Sequence, residues 1–275
     1  MADLPTRSDT DELRELAERV ATEAGAMLLA AASDHLRLEV TTKSSGTDMV
    51  SEMDHAAEAL IVKGILATRP NDAILGEESG ATEGTSGVRW VIDPLDGTTN
   101  YLYGHPVWAV SVAAEVDGVV QAGVVAAPGL GETFAASRGA GATCNGHAIM
   151  VSGEVDLASA LVGTGFGYLA ARRGLQAAVL PHVLPAVRDI RRYGVASLDL
   201  CWVACGRLDG YFEAGGQPWD VAAGLLIAAE AGAVAAGLDG GPVVAESLMV
   251  ATPGVAPALF ELLTRSGAAI DLSLK

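Results

Sequence analysis

Residues 90–101 read Trp-Val-Ile-Asp-Pro-Leu-Asp-Gly-Thr-Thr-Asn-Tyr, and no other stretch constrains the fold as much. The apolar run Trp90-Val91-Ile92 reads as the end of a buried strand. Pro94 fixes a corner there, because its ring locks φ. Asp93 and Asp96 flank that corner, and a small hydroxyl-bearing turn, Gly97-Thr98-Thr99, follows. Two acids three residues apart at a strand end make a ready site for a hard divalent cation. The amides of such a turn can hold a phosphate beside it.

An anionic ligand would need that cation. Acids outnumber Lys plus Arg by 34 to 17, for a formal charge of −17. This balance argues against non-specific binding to nucleic acid or to anionic membranes. A metal held by carboxylates reverses the sign locally. The 275 residues suffice for one large core or two of ordinary size. An apolar half and 33 glycines fit an α/β protein, not a disordered one. Cys144, Cys201 and Cys205 lack metal-ligand spacing and read as buried reduced thiols. The polar, acidic N-terminus does not read as a secretory signal, and no run has the length of a membrane span. A cytoplasmic protein is expected.

Leu13, Leu16, Val20, Ala24, Met27 and Leu28 recur at helical spacing, which predicts a helix from about Asp11 after a loose tail. A polar loop over 41–48 precedes a second helix over 54–68, with Ala57, Leu60, Ile61 and Ile65 inward and Pro70 as its stop. Strands are predicted at 73–78, 88–92, 107–115, 119–127 and 133–137, with Asp117-Gly118 as a hairpin turn. After residue 150 the pattern alternates. Strands fall near 161–165, 210–213 and 248–251, and helices near 172–188, 198–206, 220–231 and 256–265. Two halves are expected. Residues 1–150 form an α+β unit carrying most metal ligands; residues 151–275 form an α/β unit supplying Asp220 and substrate contacts.

Asp48 and Asp54, Glu77 and Glu78, and Asp220 also stand at ends of predicted elements. Singly, each is weak evidence, because an acid at such a place is usually a solvated cap; Asp220 precedes a nearly all-apolar helix, where an N-cap belongs. Combined with Asp93 and Asp96, they form an oxygen-only donor set, which selects Mg²⁺, Mn²⁺ or Ca²⁺ over zinc.

At this point the residues resemble a known family. Asp93-Pro-Leu-Asp-Gly-Thr-Thr-Asn-Tyr101 is similar to the central signature of the inositol monophosphatases. Gly76-Glu77-Glu78-Ser79 resembles their preceding acidic motif, and Trp219-Asp220-Val-Ala-Ala-Gly224 their C-terminal one. Lys43-Ser44-Ser45 through Asp48 to Asp54, Gly194-Val195-Ala196 and Gly210-Tyr-Phe-Glu213 agree as well, in order over residues 40–230. The bacterial branch is the most similar.

The resemblance implies a mixed α/β fold, a layered αβαβα sandwich of the sugar-phosphatase type, with the site between its halves. It implies Mg²⁺-dependent hydrolysis of a phosphate monoester, with two to three ions per site and Mn²⁺ as a substitute, by direct attack of a metal-activated water. Glu77, Asp93 and the Leu95 carbonyl would hold the first ion. Asp93, Asp96 and Asp220 would hold the second, and Glu77 would assist a third through water. Thr98, with Asp54 behind it, would orient the attacking water. The amides of Gly97 and Thr98 would grip phosphate oxygens. Gly194, Val195, Ala196 and Glu213 would line the alcohol side, beside Asp96 and Asp220. Lithium sensitivity and a homodimer are implied too.

Glu213 reads either as a hydrogen-bonding partner of a polyol or as an exposed rim acid. Lys43 either shields charge near the site or is solvated. Val195 departs from the Ser or Thr that many relatives carry, so a hydroxyl contact is absent. Inositol 1-phosphate is the leading substrate. Histidinol phosphate, fructose 1,6-bisphosphate and 3′-phosphoadenosine 5′-phosphate are the alternatives. Residues 194–217 offer Arg207, Tyr211 and Phe212 without an evident nucleotide-binding cluster. A non-catalytic regulatory protein is the alternative of another class; a broken ligand set would mark it, and here the set is whole.

Overall fold

Helix α1 (Arg7–Ser33) begins ahead of the expected Asp11. A tertiary contact ties down its N-terminal part: Ser137 Oγ donates to Asp11 Oδ1 at 2.9 Å. The computed structural model describes residues 7–33, 40–42 and 49–269; Lys43, Ser44, Ser45 and Asp48 lie outside them. Strands β1 (Val40–Thr42) and β2 (Met49–Ser51) form a small antiparallel ladder. Helix α2 (Glu52–Thr68) stops short of Pro70 and buries Ala57, Ile61 and Ile65, while Leu60 is only partly covered.

The strands β3 (Ala73–Gly76), β4 (Gly80–Thr82), β5 (Val88–Asp96), β6 (Ala109–Val116), β7 (Val119–Ala127), β8 (Glu132–Ser137), β9 (Ala142–Cys144) and β10 (His147–Ile149) form one sheet. Their spatial order is β10-β9-β8-β7-β6-β5-β3-β4. β3 and β5 run parallel; from β5 to β10 the chain meanders antiparallel. Asp117 (φ 50°) and Gly118 (φ 77°) turn the β6–β7 hairpin, both in the left-handed region that a tight hairpin turn requires.

Two expectations are corrected around the proline. Strand β5 does not stop at Ile92 but continues to Asp96. Asp93 pairs with Ser111 and Asp96 with Ala109, so two residues, Pro94 and Leu95, oppose the single Val110. Pro94 has no N–H to give the ladder, and a bulge accommodates it. The expected Gly97-Thr98-Thr99 turn is the start of a short helix, α3 (Thr98–Leu102), with Gly97 before it at φ 93°.

A second sheet follows. It contains β11 (Leu161–Thr164), β12 (Asp189–Arg191), β13 (Gly210–Ala214), β14 (Val234–Ala236) and β15 (Ser247–Ala251), in the order β12-β11-β13-β15-β14. β11 runs parallel to both β12 and β13. The short strands β4, β9, β10, β12 and β14 escape the sequence pattern, being too brief to show a period.

Five layers result. α1 and α2 cover one face of the first sheet, burying Leu13, Val20 and Leu28 against Trp90, Val112 and Val124. α5 (Ala196–Ala204) and α6 (Pro218–Glu230) fill the space between the sheets. α4 (Ala170–Val183) and α7 (Ala256–Ser266) close the far face of the second sheet. This is the αβαβα sandwich. Among the described residues, no helix is long and apolar enough to cross a membrane.

The central layer is thin because its contacts are small. A Cβ on Gly123 of β7 would stand 2.9 Å from Ala223 Cα. A Cβ on Gly224 would stand 2.8 Å from Leu200 Cβ and 3.0 Å from the Ser197 carbonyl. Helix α6 is therefore pinched between β7 and α5. Gly224→Ala is expected to lose about 1–2 kcal/mol net, because overpacking outweighs the roughly 1 kcal/mol of helix propensity gained. Thermal or urea unfolding checks this, and a more stable variant would refute the pinch.

Candidate functional site

The carboxyl ends of parallel strands from both sheets meet at one cavity. β3 delivers Glu77, β5 delivers Asp93 to Asp96, β11 delivers Gly165 and β13 delivers Glu213 and Gly215. Between them lies a cavity of about 480 Å³. The N-termini of α5 and α6 reach it through Val195, Ala196, Gln217 and Asp220. Crevices beyond the carboxyl ends of parallel strands are common ligand sites, and helix N-termini favour negative charge.

Glu77, Asp93, Leu95, Asp96, Gly97, Thr98, Gly194, Val195, Ala196, Glu213 and Asp220 all line this cavity. The fold thus brings together side chains from Glu77 to Asp220. Asp54 does not line it. It is buried behind Thr98, with the hydroxyl 3.5 Å from its Oδ1. That hydroxyl stands nearer to the Leu95 carbonyl, at 3.1 Å.

Asp93, Asp96, Asp220 and Glu213 each accept from a protein donor. Leu95 N–H donates to Asp93 Oδ1 at 3.0 Å. Asp96 Oδ2 accepts both Ser197 N–H at 2.8 Å and Ser197 Oγ–H at 2.7 Å. Gln217 N–H donates to Asp220 Oδ2 at 2.8 Å. Asp220 is accordingly not the N-cap but the third residue of α6, reaching back to the cap residue Gln217. Tyr211 OH donates to Glu213, which lies against Gly165 and is half-buried, so it is no exposed rim acid. Buried Glu58 of α2 grips the turn that presents Glu77, accepting Glu78 N–H at 2.9 Å and Ser79 N–H at 2.7 Å.

Electrostatics set the character of the site. Burial, then repulsion from Glu77, Asp96 and Asp220, pushes the Asp93 carboxyl well above the usual carboxylate range. Burial raises Asp96 to about 7 against the lowering effect of the Ser197 donors. Asp220 is pushed well up by burial and then by Asp96; Glu213 is raised by burial against its Tyr211 hydrogen bond. These acids resist carrying their charges together unless positive charge joins them. The donors are oxygens throughout, which fits a hard divalent cation. Among the described residues, no three His, Cys, Asp or Glu side chains are already grouped to enclose an ion. One oxygen each of Asp96 and Asp220 is turned back onto Ser197 and Gln217.

Two sequence readings change. Val195 is fully buried, its Cγ2 standing 2.8 Å from where a Gly97 Cβ would be, so its side chain packs the wall. That crowding and the positive φ both demand glycine at 97. Arg207 pairs with Glu132 at 2.7 Å, and neither it nor Phe212 lines the cavity. Sequence reasoning missed Ser197 and Glu58, whose work is to hold other acids. It also missed the wall formed by Phe166, Tyr168, Arg172 and Arg192. The one available signal was the glycine-rich Gly165-Phe-Gly167 immediately after a predicted strand.

Comparison with known proteins agrees with this geometry. The profile of the inositol monophosphatase family matches residues 9–268. An inositol-1-monophosphatase of Mycobacterium leprae is 45% identical over 94% of this chain and 95% of that protein. A protein of Pasteurella multocida named Nus factor SuhB is 42% identical over 82% of this chain and 85% of its own length. Among solved structures, the extragenic suppressor protein suhB of Bartonella henselae superposes with a TM-score of 0.88 at 35% identity, covering 92% of this chain and 99% of that one. The chain belongs to the inositol monophosphatase family.

Proposed function

We propose that this family member is a phosphoric monoester hydrolase that uses divalent cations to cleave inositol 1-phosphate. The observation that carries the reading is the convergence of Glu77, Asp93, Asp96, Asp220 and the Leu95 carbonyl on one cavity that two helix N-termini also face. Glu77, Asp93 and Leu95 would hold one cation; Asp93, Asp96 and Asp220 would hold a second. Mg²⁺ suits them best, a third ion beside Glu77 is part of the proposal, and Mn²⁺ is a substitute. Bound there, such cations neutralise phosphate charge, acidify water and stabilise the leaving alkoxide.

The chain's own groups do the rest. The Thr98 hydroxyl can donate a hydrogen bond to Asp54 Oδ1, leaving oxygen lone pairs to accept from a water and aim it at phosphorus. Phosphate oxygens fit the leading amides at Gly97 and Thr98, where a helix has no acceptor of its own to offer. Glu213, steadied by Tyr211, and the backbone of Gly194 to Ala196 suit the hydroxyls of a polyol. The proposal includes a cytoplasmic homodimer inhibited by lithium.

A second reading has specific support: one close relative is named as a Nus factor rather than as an enzyme. Kinship therefore leaves room for a regulatory protein, and the complete acid set favours the hydrolase. An Asp93→Asn strain separates the two readings. Loss of its biological role along with phosphate release supports catalysis, and retention of that role without release supports regulation.

Chelation is expected to abolish phosphate release from inositol 1-phosphate, Mg²⁺ to restore it, and millimolar Ca²⁺ to inhibit through its looser geometry. A chelator-treated enzyme of full activity would end the metal reading. Thr98→Ala is expected to lower kcat about 100-fold or more, with Mg²⁺ affinity held within about 2-fold. An equal loss of affinity in a Mg²⁺ titration would count against water positioning.

A further inference from the structure

Gly76 is a glycine that its own backbone does not require, because its φ is not positive. Its neighbour explains it. A Cβ on Gly76 would stand 2.6 Å from the carboxyl carbon of Glu58 and 2.8 Å from Oε1. The Glu58 side chain, reaching across from α2, occupies the space that a side chain at 76 would need.

Gly76 and Gly80 pair across the β3–β4 hairpin, so Glu77, Glu78 and Ser79 form its three-residue loop. Glu77 N–H is held by β5, donating to the Ile92 carbonyl at 3.2 Å. The next two amides converge on Glu58: Glu78 N–H meets Oε2 at 2.9 Å and Ser79 N–H meets Oε1 at 2.7 Å. Glu58 is 3% exposed, and among the described residues it meets no cation within 4.0 Å. A buried carboxylate without a counter-charge is costly, and an apolar side chain would fill the place at less expense. The same stretch of helix has other work. Asp54, one turn earlier and also buried, stands 3.5 Å from the Thr98 hydroxyl, and His55 Nδ1 lies 3.4 Å from Glu78 Oε2.

We propose that Glu58 is a positioning residue: by gripping both free amides of the loop, it sets Glu77 at the distance that the cation shared with Asp93 and the Leu95 carbonyl requires. The inference rests on the hydrolase reading above. Glu58 does not line the cavity, so it acts through the Glu78 and Ser79 amides and not by touching an ion. Releasing the loop costs affinity for the cation beside Glu77 and spares the one beside Asp96 and Asp220, whose donors lie on other elements.

Mn²⁺ titrations of the full chain, with free Mn²⁺ read by electron paramagnetic resonance, would compare wild type with Glu77→Gln, Glu58→Gln and Gly76→Ala. Glu77→Gln marks the binding step that depends on Glu77. Glu58→Gln is expected to weaken that step about tenfold and the remaining binding by less than about 2-fold. Gly76→Ala keeps the charge of Glu58 but displaces its carboxylate, and is expected to weaken the same step; it also serves if Glu58→Gln does not fold. Combining Glu58→Gln with Glu77→Gln is expected to cost no more than Glu77→Gln alone, since one residue acts through the other. In phosphate release, the Mg²⁺ concentration for half-activation is expected to rise with the Mn²⁺ dissociation constant, while kcat at saturating Mg²⁺ stays within about 2-fold. Unchanged Mn²⁺ binding in both variants, or an equal loss at every step, would overturn the role. So would a loss in Glu58→Gln with none in Gly76→Ala, because Glu58 would then act by its charge alone. A wild type that binds no Mn²⁺ would sink the hydrolase reading itself, and this inference with it.

Discussion

Buried carboxylates repel one another, and everything distinctive in this structure follows from collecting them in one crevice. Glu77, Asp93, Asp96, Glu213 and Asp220 share the cavity. Burial alone pushes Asp93, Asp96, Glu213 and Asp220 toward their neutral forms, and for Asp93, Asp96 and Asp220 their neighbours push further in the same direction. The fold counters this chiefly with fixed hydrogen-bond donors, and at Glu213 with the charge of Arg192 as well. Ser197 gives Asp96 two hydrogen bonds, Gln217 N–H meets Asp220, and Leu95 N–H meets Asp93. The N-termini of α5 and α6 add partial positive charge from the same direction. These donors orient the acids without neutralising them, which leaves a site that favours added positive charge.

That requirement explains the thin central layer. Asp220 belongs to the second part of the chain and must reach acids presented by the first sheet. It does so because α6 rests directly on β7 at Gly123 and directly on α5 at Gly224. Larger residues at either contact would lift the helix that carries Asp220 or the one that carries Ser197. The glycine at 97 serves the same end: it lets the chain leave β5, turn through a left-handed conformation and start α3 within contact of Val195.

Legibility in the sequence tracks how tightly chemistry restricts residue type. The long helices and the β5–β8 meander have enough residues to display a period, and each is present where the pattern puts it, though the start of α1 and the ends of β5 and α4 differ by several residues. The acids that share the cavity were legible because they stand at the ends of predicted elements, in a spacing few other patterns produce. Residues that position those acids were not: a serine that hydrogen-bonds Asp96 looks like any serine at a helix start, and Glu58 looks like a solvated helical glutamate. The bulge at Pro94-Leu95 was read as a strand end because sequence cannot say whether a neighbouring strand bends to meet it. The wall of Phe166, Tyr168, Arg172 and Arg192 was unreadable for another reason. It joins the loop after β11 and the first turn of α4 to the end of β12, and the parallel register of β11 and β12 brings those ends together.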